Sequence, residues 1–248
     1  MSLTAYFDAS GKEDQGFLVV AGFISSSTDW LAFDRFWKER LAADGLEYFR
    51  ASEFAHSKGQ FSDGWEGESE RRKALSADLM DILKRHVYRR FSDVVISEAL
   101  AGMSSATKAE YLINAYSLAG RTCAARLRQW LQSEQWETIP TLIFEDGDIG
   151  KGRLRDCLLR DGFSEPRFIT KVDRSNVSQL QEILITPLQA ADWLAYETFL
   201  ASKRREMQRW AMLEFERIPG SGGIYLADDV ARLEERLNAP ADVGPAQS

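Results

Sequence analysis

Leu3–Ser26, LTAYFDASGKEDQGFLVVAGFISS, is the stretch whose reading decides the fold. Ala5 and Phe7, then Phe17, Val19, Ala21 and Phe23, keep a period of two, which predicts two β-strands joined by a polar, glycine-containing loop. Asp8 breaks the pattern. It closes the first strand in a run apolar enough to be central in a sheet, where a carboxylate is costly unless it is paired or binds a metal. A strand-terminal aspartate also opens Asx turns, here with Ser10 and Gly11, so Asp8 alone leaves both readings open. Two later carboxylates favour the first: Glu145 at a predicted strand end, and Asp192 inside an apolar helix.

The composition permits a large core. The chain has 248 residues, 44% of them apolar and 11% aromatic, enough for one domain over residues 1–238, with a helical insertion at about 27–87 and a flexible tail from 239. No stretch approaches the ~20 apolar residues of a membrane span, and the N-terminus shows no leader pattern; a cytoplasmic protein with no membrane partner is expected. Cys123 and Cys157 lie in predicted helices without metal-ligand spacing, which predicts reduced, buried thiols and no zinc site.

A net charge of -7 argues against gripping nucleic acid by bulk electrostatics. Three basic clusters still permit a local groove: Lys84, Arg85, His86, Arg89 and Arg90; Arg121, Arg126 and Arg128; and Lys203, Arg204, Arg205 and Arg209. Taken singly, each reads better as a solvated face or as cations in a last helical turn.

Along the chain, a helix is predicted from Ser27 or Thr28 to Leu41, a short strand over Leu46–Phe49, an exposed loop over 51–67 containing Glu53 and His56, and a helix from about Glu68 to His86. Next come a strand over Tyr88–Ser97, one long helix from about Thr107 to Glu134, and a strand from Thr138 that stops at Glu145-Asp146-Gly147-Asp148. A helix over Gly150–Leu159, a strand over Arg167–Val172, a polar link over 173–181 and a helix from Pro187 to about Met207 complete the pattern. The order is that of an α/β fold with a mixed sheet. Trp210–Phe215 reads as a further helix suited to a homodimer contact. Asp192, one residue from Ala191 and four from Leu188, falls on or beside the buried stripe of its helix, directed at the sheet.

YFDASG (6–11), FLVVAGFI (17–24), YFRASEF (48–54) and TPLQAADWLAY (186–196) together resemble the bacterial domain of unknown function 3800 family. Its members typically open with Asp-Glu-Ser-Gly and carry a Gln-x-Ala-Asp helix. The resemblance spans about Leu3 to Phe199 and implies a ribonuclease H-like fold with helices on both faces of the sheet. The strand ending at Glu145 should then lie beside the first strand, and the Asp192 helix should cross the sheet last. It further implies a metal-dependent nuclease or related phosphoryl-transfer enzyme in which Asp8, Glu145 and Asp192 hold Mg2+ or Mn2+. Asp146 and Asp148 compete with Glu145 for the middle position, and Glu110 is a candidate fourth ligand.

Hard cations select carboxylate oxygens, and two of them roughly 4 Å apart clamp a phosphodiester between attacking and leaving oxygens. Ser10, Lys108, Lys151 and Arg153 are the candidate substrate contacts, with nucleic acid as the partner. Two positions depart from the family pattern: Ala9 stands where Glu is usual, and Arg50 where a His often begins the FxAS segment. Ala9, with the acidic pI of about 5.1, favours the alternative, an inactive ribonuclease H-like module that binds protein or nucleic acid.

Overall fold

The computed structural model describes residues 2–170, 185–203 and 209–239. The opening stretch forms β1 (Leu3–Lys12) and β2 (Phe17–Ser26), antiparallel from Leu3 opposite Ser26 to Lys12 opposite Phe17. Ser26 ends β2 and starts α1 (Ser27–Ala43), its hydroxyl accepting from the Asp29 amide at 3.0 Å. Three helices, α1, α2 (Ala51–Ala55) and α3 (Ser69–His86), fill the interval before β3 (Arg89–Ile96). Then come α4 (Ser97–Ala101), α5 (Ser105–Glu110), α6 (Ala115–Ser133), β4 (Thr141–Asp146), α7 (Lys151–Arg160) and β5 (Arg167–Thr170). The rest is α8 (Thr186–Lys203), α9 (Trp210–Glu216), β6 (Gly220–Tyr225) and α10 (Ala227–Asn238).

The six strands run in the order β5-β4-β1-β2-β3-β6. β2 is antiparallel to β1 and β3, while β1/β4, β4/β5 and β3/β6 are parallel, so the sheet is mixed as expected. The strand that carries Glu145 lies beside the first strand. Both faces are covered: Phe7, Val20 and Phe91 pack with Tyr116, Cys123 and Leu127 of α6, and Val19, Ala21 and Phe23 pack with Trp37 of α1, Leu79 of α3 and Trp193 of α8. Burial on both faces is why β2 reads as a continuous apolar run. Among the described residues no helix is long and apolar enough to cross a membrane. Cys123 and Cys157 are free and buried, as expected.

The structure corrects three local expectations. The single long helix is two, because the chain turns at Leu112, with φ 56°, and restarts at Asn114. There a capping box forms: Asn114 Oδ1 accepts from the Ser117 amide at 2.7 Å, and Ser117 Oγ from the Asn114 amide at 2.8 Å. Leu46–Phe49 is not a strand; its apolar side chains plug the α8 face of the core, with the Phe49 amide bonded to a side chain of α8. The glycine-rich β6 had no alternating side chains to announce it. The expected link over 173–181, the ends of β5 at Val172 and of α8 at Met207, and the tail from 240 lie outside the described residues.

Candidate functional site

Asp8 is buried at 2% exposure, opposite Ala21 of β2, and alternation puts it on the face covered by α8. Its Oδ1 accepts from the Ala9 amide at 2.7 Å. β1 and β4 are in register through Phe7 and Phe144, whose rings stack with centroids 5.0 Å apart on the α6 face. One residue further along both parallel strands come Asp8 and Glu145, level with each other on the opposite face. Ser10, two residues beyond Asp8, shares that face. β4 ends with Asp146, and Gly147 and Gly150, at φ 132° and 115°, turn the chain through Asp148 into α7.

A buried tyrosine feels the charge of several of these acids. Burial raises the Tyr116 hydroxyl above its ordinary pKa, and the charges of Asp148, Asp8, Glu145 and Asp146 add to the shift. Four of the six predicted metal ligands therefore share one electrostatic neighbourhood at the ends of β1 and β4. Lys151 stands at its rim, with Nζ 2.6 Å from Asp146.

Asp192 is half-buried on α8 between the buried Ala191 and Trp193, and its Oδ2 accepts from the Ala51 amide, the first of α2, at 2.8 Å. One turn earlier, Gln189 Oε1 accepts from Trp37 Nε1 at 2.9 Å and from the Phe49 amide at 2.8 Å. The polar residues of QAAD thus fasten the YFRASEF segment over α8. This brings in Glu53, which the sequence reading left in a loop. Its carboxylate accepts from the Tyr48 hydroxyl at 2.9 Å. Burial pushes the Glu53 pKa up, Arg50 at 3.8 Å opposes, and the charge of Asp192 pushes it up further.

The other candidates lie apart from these acids. Glu110 is exposed, and its carbonyl accepts from Arg160 at 3.0 Å, so it sits at the opposite end of α7 from Lys151. Lys108 on α5 lies within reach of Glu234 on α10. Arg153 is exposed and ties α7 to the Ile113 carbonyl at 3.0 Å. Four cations of the basic clusters are held in ion pairs: Lys84 with Glu214, Arg121 with both oxygens of Asp161 at 2.7 Å, Arg126 with Asp93, and Arg209 with Glu197. Arg204 and Arg205 lie outside the described residues. Of the predicted dimer helix, Phe215 is fully buried, while Trp210 and Leu213 remain exposed.

Among the described residues, no group of three or more His, Cys, Asp or Glu side chains is arranged to hold a metal ion. The chain matches no family model, no curated protein and no solved structure.

Proposed function

We propose that the protein is a divalent-metal-dependent nuclease, or a related phosphoryl-transfer enzyme, on a ribonuclease H-like scaffold of the domain of unknown function 3800 family. The sheet order supports this reading, with β4 parallel to β1 and α8 packed across both β1 and β2. The observation that carries it is Asp8, buried and level with Glu145, in a neighbourhood that also holds Asp146 and Asp148.

An all-oxygen donor set suits Mg2+ or Mn2+. Asp8, Glu145 and Asp192 would hold the cation, with Asp146 and Asp148 at the strand end. When bound, it supplies an activated water and charge stabilisation for the leaving oxygen of a phosphodiester. The chain's own side chains do the positioning. Lys151, anchored by Asp146, brings positive charge to the rim where a phosphate arrives. Tyr116, its pKa raised by burial and by these charges, stays protonated across the physiological range. Gln189 and Asp192 hold the segment bearing Glu53 against α8.

A second reading, the non-catalytic module, is favoured by the use of Asp192 as a backbone acceptor for α2 and by Ala9. Thermal unfolding with and without millimolar Mn2+ separates the two. A ligand that binds only the native state raises its stability. For the enzyme, Mn2+ raises the Tm of the wild type, Asp8→Asn and Asp192→Asn lose that gain, and metal-dependent cleavage of a nucleic acid is lost with it. An unchanged Tm in Mn2+, with both variants less stable than the wild type, assigns the carboxylates to structure.

A further inference from the structure

A groove of about 550 Å³ lies at the other end of the sheet, between the C-terminal half of α8, α9 and the edge strand β6. β1 and β2 separate its strands from β4, so it is a different place from the carboxylate site. Thr198 lines it, and that side chain is 7% exposed, with Oγ1 buried and without a hydrogen-bond partner among the described residues. A buried hydroxyl without a partner costs stability, and buried polar groups in native proteins find one in the protein, in water or in a bound molecule.

Arg90 of β3 lines the same groove. Its Nε donates to the Phe215 carbonyl at 2.8 Å, which fixes the guanidinium plane and takes one of its five N–H donors. Burial lowers its pKa, Glu216 opposes that shift, and Arg89 adds to it. The guanidinium is thus a partly desolvated cation with one carboxylate nearby. Glycine lets β6 lie close against β3 at the floor of the groove: a Cβ at Gly220 would stand 2.3 Å from Arg90 Cγ, and one at Gly222 2.2 Å from the Ser92 carbonyl oxygen. Val94, Met212 and Ile224 supply apolar wall. The volume is that of an ordinary small-molecule site, apolar with a few convergent polar groups.

We propose that this groove binds a small apolar monocarboxylate, its oxygens held between the Arg90 guanidinium and the Thr198 hydroxyl and its hydrocarbon part against Val94, Met212 and Ile224. Among the described residues that line the groove, one cation, Arg90, stands beside one acid, Glu216, which favours a single negative charge on the ligand over two. The hydroxyl supplies a donor that a purely apolar ligand leaves unused.

Calorimetric titration in buffer with chelator tests this, using hexanoate as probe and hexanol and inorganic phosphate as comparators. Hexanoate binds saturably and about tenfold or more tighter than either comparator; Arg90→Met loses about tenfold. Thr198→Val, which keeps the shape, loses roughly fivefold while raising the Tm of the ligand-free protein, because the unsatisfied hydroxyl is gone. Asp8→Asn binds hexanoate like the wild type, which separates this groove from the carboxylate site. The proposal is overturned if hexanoate does not saturate, if phosphate or hexanol binds as tightly, or if Thr198→Val leaves affinity unchanged or lowers the Tm.

Discussion

Asp8 and Asp93 are both buried aspartates of one sheet, on the strands either side of β2, at 2% and 0% exposure. What the structure places beside each of them differs. Asp93, on the α6 face, receives Arg126 Nε at 3.1 Å on each oxygen, and Cys123 Sγ lies 3.5 Å away. Gly223 makes room, since a Cβ there would stand 2.7 Å from Arg126 Nη2. Asp8, on the α8 face, shares the Tyr116 neighbourhood with Glu145, Asp146 and Asp148. A buried carboxylate that serves packing carries its cation in the same packing unit. One gathered with like charges stores repulsion that a bound cation relieves, and on the proposed function that is its use.

The largest effect that tests this contrast is a pH dependence at Asp93. Burial pushes its pKa up to about 7 against the pull of Arg126, whereas the unfolded chain releases that proton near pH ~4. Between these values the native state binds more protons. The contribution of Asp93 is therefore complete below about pH 4 and is lost as the pH rises through 7, by about 4 kcal/mol in all. Urea unfolding of wild type and Asp93→Asn across this window gives that difference as a slope present only in the wild type. Equal slopes would place the Asp93 pKa near its unfolded value.

Next in size, Arg126→Met removes the cation and leaves the buried carboxylate. About 3 kcal/mol of stability is lost at roughly pH 8, and the loss shrinks toward pH 5, where Asp93 takes up a proton instead. A loss independent of pH would mean that Arg126 acts through its packing alone.

Asp8→Asn should move stability the other way. Neutralising one of several crowded carboxylates raises the metal-free stability by about 1 kcal/mol and removes the Mn2+ gain. A decrease would make Asp8 the counterpart of Asp93 and erase the contrast.

What the sequence disclosed of this arrangement follows the physics of each signal. Alternation in β1 and β2 and the stop at Glu145 were legible because burial on a strand face writes a period of two, and both strands lie where that pattern put them. The break at Leu112–Asn114 was not, since Leu118, Leu127 and Leu131 carry helical spacing past it and only the Asn114–Ser117 box marks the restart. β6 was hidden because a strand of GSGGIY has almost no side chains to alternate. For the site, Asp8 and Glu145 stood out as charges in apolar runs. Glu53 did not, because its place depends on Gln189 and Asp192, more than a hundred residues away, fastening its segment to α8.

The smallest effect concerns Asp192, where structure and proposed chemistry use one side chain. Asp192→Asn keeps an oxygen for the Ala51 amide, so the unfolding free energy changes by less than about 1 kcal/mol, whereas Asp192→Ala loses the acceptor and costs about 1 kcal/mol. Both lose the negative charge that helps hold the Glu53 pKa up, so Glu53 titrates lower in each. If Asp192 serves only α2, Asn shows no more than the small stability loss given above and leaves the Mn2+ response as it is in the wild type. If it also serves the carboxylate site, Asn keeps the fold and loses the Mn2+ response. The pair of substitutions separates a hydrogen-bond acceptor, which Asn still supplies, from a charge, which it does not.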